Sequence, residues 1–246
     1  MDNALYVGLS RQMVPRREMD IVANNIANSD TTGFKVESLL EKTDPAEPAF
    51  TLQGPRPVKF VGEDGVMRDF GQGSLRRTDA PLDLAIEGQG FFQVSSPSGP
   101  RFTRDGRFRL DDNGRLVTEG GLPVMDDGGG EITLDPQQGV ITVSKDGVIT
   151  QGTTRVGKVG VFTFQTLSTL EKAGDNLYRN TSNQQPQAAG EDVRVRQGML
   201  ENSNVQPILE ISRMIEISRA YEQISKIMDS NSELSRSAVQ RMGRVQ

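Results

Sequence analysis

The last forty residues of this 246-residue chain carry an apolar pattern that only a long helix satisfies. From residue 214 onward the seam positions recur alternately every three and four residues, the spacing of a coiled-coil seam. The members of this seam are Met214, Ile217, Tyr221, Ile224, Met228, Asn231, Ser235, Ala238, Met242 and Val245. Pro207 suits a first helical turn, and no Pro or Gly follows before Gly243. We therefore expect a helix of about 36 residues, roughly 54 Å long.

A second helix is predicted at the other end of the chain, over residues 3–28. Its apolar members are Leu5, Leu9, Met13, Met19, Val22 and Ile26. Pro15 lies inside this stretch and removes one backbone hydrogen bond, so we expect a kink or a frayed turn near Arg11.

The region between the helices, residues 50–197, alternates in strand fashion and is interrupted by Asp-Gly and Asn-Gly turns. The clearest hairpin joins Arg107–Leu110 to Arg115–Thr118 around Asn113-Gly114. Several further short strands follow the same pattern. The sequence therefore predicts an all-β middle region.

The fold class predicted from these patterns is α+β, with long N- and C-terminal helices pairing as a coiled-coil-like assembly domain around an inserted all-β domain. The N-terminal helix alone is marginal in water, so pairing would bury both apolar stripes. We expect residues 1–35 and 198–246 to form the assembly domain, 36–75 an extended linker or β region, and 76–197 the all-β domain. Each stripe is wider than one partner covers, which favours open, repeating contacts with further copies.

Three asparagines stand where the first helix should still be running, although Asn is a poor helix former. Asn24 and Asn28 lie one turn apart on the same face, and Asn25 adjoins them. Spacing alone slightly favours a solvated, fraying helix end. The alternative is a set of amides that fixes register across a subunit interface, as buried polar residues do in coiled coils.

The composition excludes several kinds of site. The chain contains no Cys, His or Trp, so the usual zinc ligands and Ser-His-Asp or Cys-His catalysis are ruled out. The formal net charge of −5 argues against a nucleic-acid partner. No apolar run approaches the roughly 20 residues that span a bilayer. Arg16, Arg17, Glu18 and Asp20 interrupt any apolar signal-peptide core in the first 25 residues.

Three separated motifs carry a resemblance to a known family. The first is Ala23–Asn28 with Thr31–Lys35, the second is Pro81–Phe92 with Phe102–Gly106, and the third is Gln197–Val205 with Arg219–Glu222. In this order they resemble the flagellar rod and hook proteins. The length, the opening Met1-Asp2-Asn3 and the segment 66–75 resemble the mid-sized rod proteins, those of the proximal rod better than those of the distal rod. Pro15 and Ser29-Asp30 depart from the family's usual pattern.

The resemblance implies a structural subunit without enzymatic activity or cofactor, which polymerises through its terminal helices into a tube that transmits torque. The implied partners are copies of itself, other axial rod proteins, the flagellar type III export apparatus and, as a further candidate, the surrounding bushing ring. No nucleic acid and no direct membrane insertion are expected. The implied location is the periplasmic rod of the basal body, reached without a cleaved signal peptide.

The predicted assembly interface combines both chain ends. Its members are Leu5, Leu9, Met19, Val22, Asn24, Asn25, Ile26, Asn28, Gly33, Phe34, Asn204, Met214, Ile217, Tyr221, Ile224, Met228 and Asn231. Two other classes of function stay open at this point. A secreted β-rich adhesive module would explain the turns but not the matched helices. A hydrolase using Asp83 and Glu87 would need a pocket that the sequence does not indicate.

Overall fold

The structure, a computed structural model, describes residues 2–43, 47–51, 54–58, 61–135, 137–182, 184–190 and 192–242. It has two α-helices, α1 (Asp2–Ala27) and α2 (Pro207–Met242), one at each end of this range. Within the described residues, no helix is both long and apolar enough to cross a membrane.

Between the helices the chain is mostly β. The strands are β1 (Glu37–Thr43), β2 (Glu47–Thr51), β3 (Gly54–Val58), β4 (Val61–Arg68), β5 (Leu75–Arg77), β6 (Leu84–Glu87), β7 (Phe91–Ser96), β8 (Gly99–Thr103), β9 (Phe108–Leu110), β10 (Leu116–Thr118), β11 (Ile141–Val143), β12 (Val148–Gln151), β13 (Thr154–Lys158), β14 (Val161–Thr163), β15 (Leu170–Lys172), β16 (Leu177–Asn180), β17 (Gln187–Ala188), β18 (Arg194–Gln197) and β19 (Met199–Glu201). A short 3-10 helix spans Leu167–Thr169.

Antiparallel pairing connects these strands. The largest sheet has six strands in the order β15-β16-β8-β7-β14-β17, and β11-β12-β13 form a three-stranded sheet. The pairs β1-β4, β2-β3, β5-β19, β6-β18 and β9-β10 complete the pairing of the named strands. The β9-β10 pair joins Leu110 to Leu116 across a turn in which Gly114 has φ +77°, so the predicted hairpin around Asn113-Gly114 is confirmed.

The chain forms two compact units. The helical unit contains Met1–Ala27, Glu37–Arg68 and Gln206–Gln246, and the β unit contains Asn28–Val36 and Asp69–Val205. Strands β1 to β4 thus belong with the helices, and the nine residues after α1 belong with the strands.

Two apolar clusters form the core of the β unit. The larger one collects alternate residues of many strands, including Ile86, Phe92, Val124 and Ile149. The smaller one packs Phe91, Phe102, Leu170 and Tyr178 beside Phe70, Phe162, Phe164 and Leu167. Its rings meet edge to face, with Phe102 and Phe164 centroids 4.8 Å apart. The aromatic and β-branched residues of the middle sequence therefore build the core, as their alternation indicates.

The predicted coiled-coil-like pair of long terminal helices is wrong. Helix α1 has 26 residues and α2 has 36, about 39 Å and 54 Å at 1.5 Å per residue, so the shorter helix cannot cover the longer one. The predicted seam is buried at Ile217 but exposed at Asn231, and Ile227 and Leu234 on its flank are exposed too. The helical unit also includes a β-ribbon, which a two-helix coiled coil lacks.

Pro15 does not interrupt α1. The helical assignment is continuous from Asp2 to Ala27, through Arg11 and Pro15, and Pro15 is itself buried. Val14, Ile21 and Val22 are also buried, so this part of α1 is held by packing in the helical unit.

Candidate functional site

Helix α2 leaves several large apolar side chains in water. Ile208, Ile211 and Ile215 are 79%, 49% and 48% exposed, and they lie three and four residues apart on one face of the helix. We call these three residues the outer isoleucine stripe. Buried or half-buried residues such as Met214 and Ile217 occupy a different face of α2. The helix therefore has one apolar face used inside the subunit and a second that the subunit leaves uncovered.

Asn25 joins three elements of the helical unit. Its side chain is fully buried, and its Nδ2 donates to the Glu37 carbonyl at 2.7 Å and to Glu210 Oε2 at 2.9 Å. The backbone N–H of Glu37 donates back to Asn25 Oδ1 at 3.0 Å. We call this set of bonds the Asn25 clasp. It fixes α1, β1 and the first turn of α2 relative to one another, because an amide can donate and accept at once.

Two further polar contacts extend this arrangement. The Arg68 guanidinium on β4 pairs with Glu37 Oε1 at 2.7 Å, directly across the β1-β4 ribbon. The Gln12 amide on α1 donates to Ser225 Oγ on α2 at 3.0 Å. Contacts between α1 and α2 thus include directional polar bonds as well as apolar packing.

The β unit contains a buried charge cluster of Lys35, Arg104 and Glu201. These residues are 1%, 2% and 1% exposed. Glu201 Oε1 accepts from Lys35 Nζ at 2.6 Å, and Glu201 Oε2 accepts from Arg104 Nη1 at 3.1 Å. One carboxylate is therefore shared by two cations, and the cluster carries a formal charge of +1.

Backbone groups satisfy much of the remaining hydrogen-bonding capacity of the cluster. Lys35 Nζ donates to the Gly71 carbonyl at 2.7 Å, and Arg104 Nη2 donates to the Gly88 carbonyl at 2.8 Å. The Gly73 N–H donates to Glu201 Oε1 at 2.9 Å. Such bonds are what make a buried ion pair tolerable, since desolvation alone is unfavourable.

Burial has an electrostatic consequence for both cations. Desolvation lowers the pKa of Lys35 below its usual value, although the attraction and the hydrogen bond of Glu201 oppose this. Desolvation likewise lowers the pKa of Arg104, which stays protonated because its ordinary value is so high. Lys35 is therefore the member whose charge responds to alkaline pH.

We expect this response in the pH dependence of stability. Between the lowered pKa of folded Lys35 and about 10.4 in the unfolded chain, the unfolded state binds the additional proton, so stability rises with pH. The penalty for the buried charge is complete below this window and absent above it. The free energy of unfolding of the wild type, minus that of Lys35→Met, should therefore increase by at most about 1.4 kcal/mol per pH unit. Denaturant titrations from about pH 8 to about pH 10.4 measure this difference; a flat or falling difference would contradict the assignment.

The structure places the predicted interface residues in very different environments. Val22, Asn25, Gly33, Phe34 and Ile217 are buried. The half-buried members are Met19, Ile26, Asn28, Asn204, Met214, Tyr221, Ile224 and Met228, whereas Asn24 and Asn231 are exposed. The side chains of Leu5 and Leu9 lie outside the described residues. Asn25 has its partners within the subunit, and the role of the others in assembly stays a prediction.

Sequence reasoning missed the charge cluster. Lys35, Arg104 and Glu201 each lie in one of the three motifs, but the motifs do not indicate that the three side chains are partners. A local signal is present in the sequence, because an apolar residue lies one or two positions before each charge: Phe34 before Lys35, Phe102 before Arg104 and Leu200 before Glu201. A charge at such a position indicates a paired, buried ion.

Asp83 and Glu87, the candidate carboxylates of a hydrolase, both take part in contacts that stabilise the β unit. Glu87 pairs with Arg196 at 2.7 Å, and the hydrogen bond from Arg196 lowers the pKa of Glu87. A general acid needs the opposite shift, so that it holds a proton near neutral pH. Asp83 takes part in an isolated β-bridge with Arg107. Among the described residues no acidic cluster could hold a metal ion.

Three segments match families of flagellar proteins. Residues 5–35 match the flagella basal body rod protein family, residues 85–151 the flagellar hook protein FlgE/F/G D1 domain, and residues 196–241 the flagellar basal body rod FlgEFG protein C-terminal family. The flagellar basal-body rod protein FlgF of Caulobacter vibrioides is 59% identical over 245 residues, 100% of both chains. The chain belongs to the flagellar basal-body rod protein family.

Two other similar proteins are also flagellar rod proteins. FlgF of Mesorhizobium japonicum is 34% identical over 243 residues and 99% of both chains, and FlgG of Buchnera aphidicola is 36% identical over 255 residues, 92% of this chain and 94% of its own. The likeness to FlgF that Met1-Asp2-Asn3 and residues 66–75 indicated is confirmed, with FlgG as a further relative. Full-length similarity to these rod proteins supports a structural role in the rod rather than an adhesive one.

The charge cluster takes one member from each matched segment of this rod protein. Lys35 ends the first segment, Arg104 lies in the second and Glu201 lies in the third. The three motifs that the sequence separates by many residues therefore meet at one buried site.

Proposed function

We propose that this rod protein is a structural subunit of the proximal flagellar rod, and that it polymerises through its terminal helices into a shaft that transmits torque from motor to hook. Its partners are copies of itself and other axial proteins of the rod. It works without a cofactor and catalyses no reaction. It reaches the periplasmic part of the basal body through the type III export apparatus, without a cleaved signal peptide, and the bushing ring around the rod is a further candidate partner.

The observation that carries this proposal is the outer isoleucine stripe. Isoleucine side chains left in water are unfavourable, and burying one completely contributes about 1.5–3 kcal/mol. Ile208, Ile211 and Ile215 leave a continuous face of α2 uncovered by the subunit itself. Because Ile208 is mostly exposed and Ile211 and Ile215 are about half exposed, a neighbouring rod subunit that covers this face would gain part of this contribution from each of the three, which suits a permanent assembly.

Half-buried residues of the predicted interface can add to the contact that the outer isoleucine stripe makes with a neighbouring subunit. Met214, Tyr221, Ile224 and Met228 keep part of their surface accessible in the subunit. They can therefore extend a contact at its edges, whereas the buried Ile217 contributes to the fold of the subunit. Asn24 and Asn28 remain proposed register-fixing amides at such a contact.

Replacing Ile208, Ile211 and Ile215 together with serine should prevent incorporation into the rod. Ile208 is largely exposed and Ile211 and Ile215 are about half exposed, so the circular dichroism of the purified subunit should stay close to that of the wild type and its unfolding midpoint should fall only slightly. We expect cells that carry only this variant to lose swimming, with more than a tenfold loss of the protein from isolated basal bodies.

The matched control is Val140→Ser, because Val140 is 77% exposed on the β unit. This change removes an apolar side chain that is as exposed as Ile208 but lies away from α2, and it should leave swimming and incorporation unaltered. Normal incorporation of the triple serine variant would contradict an assembly role of the outer isoleucine stripe.

A further inference from the structure

Glu201 holds together parts of the β unit that are distant in sequence. Its carboxylate binds Lys35, Gly73 and Arg104, and its carbonyl accepts from the Gly33 N–H at 2.8 Å. The Lys35–Glu201 bond spans 166 residues of sequence, and the Arg104–Glu201 bond spans 97. Glu201 thus links three earlier parts of the chain, around residues 33–35, 73 and 104, through its own hydrogen bonds.

Asn204 strengthens the same closure three residues later. Its Oδ1 accepts from the Val36 N–H at 2.8 Å, and its Nδ2 donates to the carbonyls of Asp69 and Gly71 at 2.8 and 3.2 Å. Its own N–H donates to the Phe34 carbonyl at 3.4 Å. Residues 201–204 therefore bind both earlier segments, 33–36 and 69–73. Both segments precede residues 201–204 in the sequence.

The closure depends on the Glu201 carboxylate, because it brings two positively charged side chains into the interior. Without Glu201, burial of Lys35 and Arg104 would place two cations in the interior with no carboxylate between them, a strongly unfavourable state. Asp69 also attracts Lys35, but its side chain is exposed, so water and salt screen that attraction. The chain is made from its N-terminus, so Lys35 and Arg104 always precede their counter-ion.

We propose that Glu201 is a closing latch: the segments 33–36, 69–73 and 201–204 close together as the last step in folding of the β unit, when the shared carboxylate enters between Lys35 and Arg104. Closure thereby has to wait for Glu201, which follows Lys35 by 166 residues and Arg104 by 97. An incomplete chain keeps the latch open. This step concerns the β unit alone and does not depend on the proposed assembly face.

Native-state hydrogen exchange on the full-length protein tests the latch. In the wild type, the amides of Gly33, Gly73 and Asn204 should exchange through one common opening, with the same dependence on low concentrations of denaturant. The amides of Leu116 and Val124, which bond within the β-unit core, should exchange only through a larger opening. Independent openings at the three latch amides would overturn the proposal, as would exchange of all five amides by global unfolding alone.

Charge variants test the electrostatic cause. Glu201→Gln should raise the latch-opening equilibrium constant at least about a hundredfold, because two buried cations lose their partner. Lys35→Met should raise it by less than about tenfold, because Arg104 and Glu201 remain as a neutral pair. The latch-opening equilibrium constant of the double variant Lys35→Met/Glu201→Gln should lie between those of the two single variants, since the double variant buries only one unpaired cation, Arg104. Equal effects of Glu201→Gln and Lys35→Met would refute the latch.

A matched control and a milder variant complete the experiment. Glu171→Gln makes the same chemical change in the exposed Glu171–Arg179 pair of the β unit and should alter latch opening less than about twofold. If Glu201→Gln does not fold, Glu201→Asp gives the decisive reading. Its shorter side chain should increase exchange at Gly33, Gly73 and Asn204 together, and a change confined to Gly73 would contradict the latch.

Discussion

Gly106→Ala is expected to destabilise the β unit by about 4 kcal/mol or more, enough to unfold a typical domain in part. A Cβ at this position would lie 1.6 Å from the Leu84 carbonyl oxygen, far inside van der Waals contact. The strand cannot easily move away, because the Leu84 N–H donates to the Gly106 carbonyl at 3.0 Å. Leu84 is itself buried in the larger core cluster, so a shift there would disturb the packing of that core.

Urea denaturation of Gly106→Ala beside Gly157→Ala measures this effect. Gly157 lies in β13, and no atom lies within 4 Å of an added Cβ there. Its replacement should change the free energy of unfolding by less than about 1 kcal/mol. If both variants lose a similar amount of unfolding free energy, the close approach of Leu84 to Gly106 does not explain the destabilisation.

Asn25→Ala is expected to lower the free energy of unfolding of the helical unit by about 3 kcal/mol. The change removes two donated hydrogen bonds and one accepted bond at a fully buried position. Alanine is the better helix former, by a few tenths of a kcal/mol, so intrinsic propensity acts in the opposite direction. The loss of the clasp dominates because the buried Glu210 carboxylate and the Glu37 backbone are left short of partners.

Asn24→Ala is the matched control for the clasp. It makes the same substitution one position earlier on α1, at an exposed side chain, and should cost less than about 1 kcal/mol. Thermal unfolding followed by circular dichroism at a helix-sensitive wavelength compares the two variants. If Asn24→Ala proves as destabilising as Asn25→Ala, the clasp is not what holds α1 to α2.

Local patterns predicted the elements well where the signal was continuous. The spacing of three and four from Met214 onward predicted a helix of about 36 residues, the length observed for α2. Asn113-Gly114 predicted its hairpin for a similar reason, since a short turn with Gly114 at positive φ sets the register locally. The coiled-coil pairing failed because periodicity reports which face is apolar and not what covers it. On α2 the covered face includes Ile217, while Ile208 and Ile215 on another face stay exposed.

The candidate site was harder to predict because its bonds join distant parts of the chain. Asn25 and Glu210 lie 185 residues apart, and their hydrogen bond depends on the final positions of both helices. The same holds for Lys35 and Glu201. A sequence shows that a charge stands among apolar neighbours, but the identity of its partner follows only from the three-dimensional arrangement.

The ring cluster around Tyr178 offers a natural spectroscopic reporter. Tyr178 is enclosed, with Phe70 and Phe91 centroids 5.3 and 5.9 Å from its own, whereas Tyr221 is half-buried on α2 in the other unit. Because the protein contains no tryptophan, its near-ultraviolet dichroism is not masked by indole bands. Fluorine-labelled tyrosine should accordingly give one resonance from Tyr178 in the β unit and others from Tyr6 and Tyr221 in the helical unit, so that melting of each unit can be followed in one sample without attaching a foreign dye.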